Sequence, residues 1–311
     1  MISIVIPLYN KAATIERAVR SVLNQTIQNF ELIVVNNGST DGSEEVVKTI
    51  QDPRITLISQ DNQGVSMARN RGVEAAKSEW VAFLDADDEW KPTFLETVLR
   101  LKEQYSDCSV CATAYQRCNA HGVLEDIQLK GVHWGESCRL DNYFEVAAVS
   151  DPPFCSISVM VKKEALLAVG GFPKGVHQGE DLLTWARLAA SYKIAYSPTP
   201  QSIFYTGEQS AMDHPKRIPA DDDIVGRELE NLYNQKQTPG LKQYIAKWHK
   251  MRASIYLRLP NGSRKCRKEI REAQHWHRNP RLALYYVFSL CPYKLRMFLG
   301  RTISKLHQGT L

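Results

Sequence analysis

The strongest constraint on the fold is an alternation in the first hundred residues. Nearly continuous apolar runs, "SIVIPLYN", "FELIVVNNGS", "ITLISQ" and "WVAFLDADD", are separated by "ATIERAVRSVLNQ", "DGSEEVVKTIQ" and "GVSMARNRGVEAAK", whose apolar residues recur at helical spacing. A strand that is apolar on both faces must be covered on both, so the pattern predicts a parallel sheet between layers of helices. Thr14 stands where a helix N-cap belongs. Such sheets take ligands beyond the carboxyl ends of their strands. Here each strand runs out into polar residues: Tyr9-Asn10, Asn36-Asn37-Gly38-Ser39, Asp61-Asn62 and Asp85-Ala86-Asp87.

The last of these ends lies in "FLDADDEW", which sets Asp85, Asp87, Asp88 and Glu89 side by side. Carboxylates this close repel one another and cost stability unless a cation or hydrogen-bond donors compensate. A divalent metal is the expected compensator. A dinucleotide-binding domain would carry G-x-G-x-x-G after its first strand, and "PLYNKAAT" has no glycine, which disfavours nicotinamide and flavin chemistry.

With 311 residues and 43% hydrophobic composition, the chain can bury a large core as one domain with an appendage. Its net charge of +5 hides an asymmetry: residues 1–235 hold 22 Lys/Arg against 32 Asp/Glu, whereas 236–311 hold 17 against 2. The two parts therefore face different partners. The opening "MISIVIPLYN" lacks the features of a signal peptide, no apolar stretch is long enough to span a bilayer, and seven cysteines cannot all pair within the chain. Together these predict a cytoplasmic protein. Cys108, Cys111, Cys118 and His121 have the count and spacing of a small zinc site. "SVCATAYQRC" followed by "NAHG" nevertheless reads as a strand and a turn, with cysteines as ordinary strand residues.

Beyond residue 100 come a helix, "PTFLETVLRLKEQY", then an irregular stretch from 128 to 154 containing His133, Trp134 and Tyr143. "SISVMVKKEALLAVGGF" follows as strand, helix and Gly-Gly stop; "EDLLTWARLAASY" is an amphipathic helix opened by two acids; "KIAYSPTPQSIFY" completes the sheet. In the basic tail "YKLRMFLGRTISKL", Leu295, Phe298, Leu299, Ile303 and Leu306 recur at helical spacing, with Lys294, Arg301 and Lys305 on another face. "NPRLALYYVFSLCP" before it, capped by Asn279 with Pro280 in the first turn, adds apolar area. This is the pattern of a helix lying on an anionic membrane surface; the competing reading packs the tail on the acidic body. Nothing accompanies the charge that would recognise nucleic acid.

Taken in order, "SIVIPLYN", "ELIVVNNGSTDGS", "DNQGVSMARNRG", "FLDADD", "SISVMVKKEALLAVGGF" and "GEDLLTWARLA" resemble the inverting glycosyltransferases of family 2, which have the GT-A fold. The resemblance covers residues 2 to 205. It implies an α/β protein of GT-A fold, with a mainly parallel nucleotide-binding sheet flanked by helices and a helical, basic C-terminal extension. The GT-A catalytic domain is expected over residues 1–220, with a nucleotide-sugar-binding half (1–100) and an acceptor half (101–220), followed by the helical basic region 221–311. The implied activity is metal-dependent transfer of a single sugar, with inversion, from a nucleotide-sugar donor (a UDP-sugar favoured) to a saccharide or lipid-linked acceptor in bacterial surface polysaccharide or glycolipid assembly. The enzyme would be cytoplasmic, or peripheral on the inner face of the membrane.

The resemblance also assigns roles. Asp87, with Asp85, holds Mn²⁺ or Mg²⁺ through the Asp-x-Asp motif, where hard oxygen ligands suit such ions; Asp85 alternatively serves the ribose. Pro7, Tyr9, Asn36, Asn37, Asn62 and Arg69 serve the nucleotide, and Arg69 either reaches a phosphate or holds the loop. Asp181 matches the catalytic base and Glu180 its acidic neighbour, with the reverse assignment as the alternative. The chain departs from the commoner pattern at Asn36-Asn37, where at least one aspartate is usual. It departs again after "SIFY", where "YTGEQSAMDH" leaves Glu208 and His214 without a role. The processive signature Gln-x-x-Arg-Trp is absent, which favours single addition. Two rivals stand beside this reading. A sugar nucleotidyltransferase would want a Gly-rich loop after the first strand. A catalytically silent membrane-surface module of a polysaccharide complex would have no need of Asp85, Asp87 and Asp181.

Overall fold

The protein is described from a computed structural model, which covers residues 1–132, 135–207 and 218–297. Its contacts divide the chain into two compact units, Met1–Gly207 and Glu208–Leu311; the boundary expected from the sequence lay at residue 220.

The first unit opens with β1 (Ile2–Leu8), α1 (Ile15–Leu23), β2 (Phe30–Asn37), α2 (Ser43–Thr49), β3 (Ile55–Gln60), α3 (Val65–Ala75) and β4 (Trp80–Phe83). These strands pair in parallel in the order β3-β2-β1-β4. Every residue of β1 and β4 is buried, as the apolar runs require. Fully burying each Val, Ile or Leu of such a strand stabilises the fold by roughly 1.5–3 kcal/mol. Gly72 lets α3 lie directly on β1, since any Cβ there would collide with Val5.

The chain continues through β5 (Glu89–Trp90), α4 (Phe94–Gln104), β6 (Val110–Asn119), β7 (Leu124–Asp126), β8 (Cys138–Arg139), α5 (Tyr143–Val149), β9 (Val159–Lys162), α6 (Lys163–Ala168), α7 (Glu180–Ala189) and β10 (Ile194–Gly207). β9 enters antiparallel between β4 and β6, and β6 and β10 run parallel. β5 closes the row antiparallel to β10, giving one mixed sheet of ten strands among the described residues.

Several expectations change here. The stretch expected to be irregular contains α5, and Tyr143 is buried against Phe144 and Phe154, a core residue. His133 and Trp134 lie outside the described residues. Thr14 precedes α1 without capping it through its side chain; its hydroxyl donates to the Ala86 carbonyl at 2.9 Å. Cys108 and Cys111 sit in the hydrophobic core, while His121 is exposed in the turn after β6.

The second unit contains α8 (Ile224–Gln235), α9 (Leu241–Leu257), α10 (Ser263–Trp276) and α11 (Leu282–Leu290) among the described residues. A small core of Ala253, Tyr256, Cys266, Ile270, Ala273 and Leu282 joins α9, α10 and α11. Asn279, expected as the cap of α11, lies two residues before the N-cap, Arg281, and accepts its N–H at 3.0 Å; no side chain caps the helix itself. No described helix is long and apolar enough to cross a membrane. The predicted tail helix lies outside the described residues from Phe298 onward, as do Glu208 and His214.

Candidate active site

The loops at the carboxyl edge of the parallel strands are stitched to one another. Asp41 accepts from the Ser43 hydroxyl, from Ala12 N–H at 2.9 Å and from Ser43 N–H at 3.0 Å, and these bonds, Ser43's hydroxyl foremost, hold its pKa below the usual carboxylate value. Lys11 N–H donates to Ser43 Oγ at 2.8 Å, and Thr40 N–H to Asn10 Oδ1 at 2.8 Å. Sequence reasoning missed Asp41 as an organiser of this edge; its only signal was its place in "GSTDGS", where Asp and Ser side chains bond local backbone.

The four acids after β4 each find a different partner. Arg69 Nη2 donates to Asp85 Oδ1 at 2.8 Å. Lys11 Nζ donates to Asp87 Oδ2 at 2.5 Å, and Arg17 Nη2 to the Asp87 carbonyl at 2.5 Å. Glu89 accepts from the Tyr205 hydroxyl at 2.9 Å, and Arg17 lies over the Tyr205 ring at 3.7 Å. Asp88 is buried, accepts Tyr205 N–H at 2.8 Å through Oδ1, and has no partner at Oδ2. Burial, reinforced by Asp85 and Asp87, pushes its pKa well above the ordinary carboxylate value. Drawn toward the neutral acid, Asp88 adds less to the repulsion than a free carboxylate would. Repulsion within the cluster is thus relieved by the protein itself, and the electrostatic argument from sequence does not by itself require a metal.

Arg69 is the joint of the site. Projecting from α3 and only 3% exposed, it also donates to Glu180 Oε1 at 3.2 Å, linking the end of β4 to the N-terminus of α7 across 111 positions of sequence. Burial opposes its charge, but Asp85, Glu180 and Asp181 outweigh burial and raise its pKa. In this structure the side chain ties the two acidic segments together. Gly179, at φ +81°, precedes α7. Glu180 points inward and is buried, whereas Asp181 is only partly buried and accepts Leu182 N–H at 2.8 Å. Burial and the neighbouring Glu180 raise Asp181 to about 6, with Arg69 opposing.

Of the other predicted nucleotide residues, Pro7, Tyr9, Asn36, Asn37 and Asn62 lie at or near the ends of β1, β2 and β3. Tyr9 is 46% exposed at the end of β1, while Pro7 is buried beneath it. Asn36 and Asn37 are both buried and committed: Asn36 donates to Glu44 and accepts Ser39 N–H at 3.0 Å, and Asn37 donates to Asn62 Oδ1 at 3.0 Å and accepts from Gln60 at 2.9 Å. Asn62 also accepts Gly64 N–H at 3.1 Å. The two asparagines therefore shape the edge instead of projecting from it.

Two groups have the chemistry to hold a metal. At the strand edge, the carboxylates of Asp85 and Asp87 are 26% and 37% exposed; Arg69 and Lys11 each engage one oxygen, and these hard oxygen donors stay within reach of solvent, unlike the more enclosed set in the second unit. These residues fit Mg²⁺ or Mn²⁺. In the second unit, ligand atoms of Asp223, His249 and Glu269 lie within 4.8 Å of one another. Arg252 Nε stands between those carboxylates, 3.2 Å from Asp223 and 2.9 Å from Glu269, and His249 Nδ1 lies 2.7 Å from Glu269. A cation already occupies that centre, so it reads as a polar core.

Comparison with known proteins agrees with this architecture. The profile described as Glycosyl transferase family 2 matches residues 3–140. The chain is 30% identical over 248 residues to TuaG of Bacillus subtilis, named for teichuronic acid biosynthesis, a match covering 78% of this chain and 94% of TuaG. It is 32% identical over 241 residues to a glycosyltransferase of Rickettsia bellii, covering 76% of this chain but 34% of that longer protein. Among solved structures, S. aureus TarS 1–349 superposes with a TM-score of 0.60 at 16% identity, over 97% of this chain and 91% of the other. The same TarS fragment in complex with UDP-GlcNAc gives 0.61 at 17% identity, over the same shares. The sheet and the helices on it are thus a GT-A fold, followed in the chain by a helical C-terminal region, and the chain belongs to glycosyltransferase family 2.

Proposed function

We propose that the chain transfers a single sugar, with inversion, from a UDP-sugar to an acceptor hydroxyl on a saccharide or lipid-linked intermediate, in surface polysaccharide or glycolipid assembly on the inner face of the membrane. The observation that carries this reading is the bridge made by Arg69. It gathers the Asp-x-Asp end of β4 and the acidic start of α7 into one charged site, with Asp181, half-buried, next to Glu180.

An inverting displacement needs a base on the acceptor side. Asp181, raised to about 6, is largely ionised at neutral pH and strong enough to take the proton of an attacking hydroxyl. As the acceptor oxygen bonds to the anomeric carbon, the bond from that carbon to the diphosphate oxygen breaks; the nucleoside diphosphate leaves, and the proton on Asp181 passes to solvent. Glu180, held by Arg69, supports the charge and position of its neighbour. A divalent ion held by Asp87 and Asp85, when bound, neutralises charge on the departing diphosphate. Tyr9 offers an exposed aromatic face to the base, Pro7 and Asn62 serve the nucleotide with it, and Asn36 and Asn37 brace the strand end through Glu44 and Asn62.

UDP release tests the reading. With UDP-GlcNAc, Mn²⁺ and a panel of saccharide and lipid-linked acceptors, the wild type should release UDP in step with glycosylated product. Asp87→Asn should fall by orders of magnitude while remaining folded. Absence of release with any nucleotide sugar would favour the silent binding module, and full activity of Asp87→Asn or in EDTA would remove the metal.

A further inference from the structure

Eight of the nine residues of α11, LALYYVFSL, are apolar or aromatic, yet only Leu282 and Ser289 are buried. Leu284, Tyr286, Val287 and Leu290 are 60, 42, 56 and 62% exposed. At about 100° per residue, these four and the exposed Ala283 fill one unbroken arc of roughly half the helix circumference, on the side away from Leu282 and Ser289. Leu295, 44% exposed, follows the helix. A helix apolar all round normally belongs in a core or a membrane, and a large exposed apolar surface marks an interaction site.

The surrounding charge selects the partner. Arg271, Arg278 and Arg281 are exposed before the helix and Lys294 after it, in a region whose 17 basic residues face only 2 acids. A second copy of this face would bring like charges together. A bilayer with anionic headgroups complements the charge and accepts the apolar arc at once. The helix measures about 13 Å, far short of the roughly 30 Å hydrocarbon core, so it suits lying in the interface and not crossing it.

We infer that α11 is the face by which this protein docks on an anionic membrane, its Leu284–Val287–Leu290 side entering the headgroup boundary and the flanking arginines and Lys294 meeting lipid phosphates. This deepens the membrane placement proposed above and rests on it. Because the three apolar side chains lie in solvent, replacing them does not open the core.

The test is sedimentation of the full chain with vesicles of phosphatidylcholine, alone or mixed with phosphatidylglycerol. Wild type should pellet with the mixed vesicles. Leu284→Gln/Val287→Gln/Leu290→Gln, with unchanged circular dichroism and melting, should lose about tenfold or more of that partitioning. Arg278→Gln/Arg281→Gln/Lys294→Gln should weaken binding about fivefold per charge removed, on anionic vesicles only. Equal pelleting of wild type and the apolar variant would leave the membrane placement standing and overturn the role of α11. Failure of the wild type to pellet would overturn both. A wild-type dimer in light scattering that the apolar variant converts to monomer, without vesicle binding, would assign the face to a second copy and overturn the inference.

Discussion

Each unit buries an arginine between two carboxylates, and the two arrangements differ in what surrounds them. In the first, Arg69 bridges Asp85 and Glu180, with Asp181, Asp87 and Asp88 close by, so negative charge is in excess and part of it faces solvent. In the second, Arg252 stands between Asp223 and Glu269 with His249 beside them, a set close to balance and enclosed by helices. Burial, reinforced by that excess, shifts Asp88 and Asp181 upward, whereas Glu269, though burial alone would raise it, is lowered by His249 and Arg252. Perturbation toward the neutral acid in a solvent-facing cluster is the signature of a working site; a satisfied network is the signature of a scaffold.

Removing the arginines tests the contrast most severely. Arg69→Met and Arg252→Met should each cost about 3–5 kcal/mol in urea unfolding, because each strands two buried or half-buried carboxylates. Arg69→Met should also abolish UDP release, whereas folded Arg252→Met should keep kcat within about twofold of wild type. Equal catalytic damage from both would erase the distinction.

Asp181→Asn carries the next effect. Transfer should fall about 100-fold or more with nucleotide-sugar affinity nearly unchanged, as expected when a general base is lost. Near-normal transfer in Asp181→Asn together with an inactive Glu180→Gln would move the role to Glu180.

The pH profile sharpens the same assignment. A base must be unprotonated to act, and with Asp181 at about 6, kcat/KM should be level above that value and fall about tenfold per pH unit below it. Asp181→Asn should lose this limb. Finally, EDTA should stop transfer while leaving the melting temperature in the absence of donor unchanged to within about 1 °C, since a structural metal adds stability by mass action and the Asp223–His249–Glu269 cluster is filled by Arg252. A fall of many degrees would mean a structural ion in the second unit.

Much of the fold was legible because its signals are local. β1 to β4 and the helices between them declare themselves by apolar runs and helical spacing, and α11 by its apolar run after Pro280. α5 and β5 were not legible: seven and two residues long, they carry too little periodicity, and packing of Tyr143 against Phe154 and pairing of Glu89 with Ile203 make them. The site was legible as residue types at strand ends. Its wiring was not.

The sequence by itself determined the parallel sheet, the acidic strand end, the two acids opening α7 and the basic character of the C-terminal region, because each is written in neighbouring residues. Only the tertiary structure decided that Arg69 binds two acids 16 and 111 positions away, that Lys11 reaches Asp87, and that Asp88 is buried and drawn toward neutrality. The physical reason is that charge compensation depends on distance and burial in space, and folding brings together groups that no window of sequence contains.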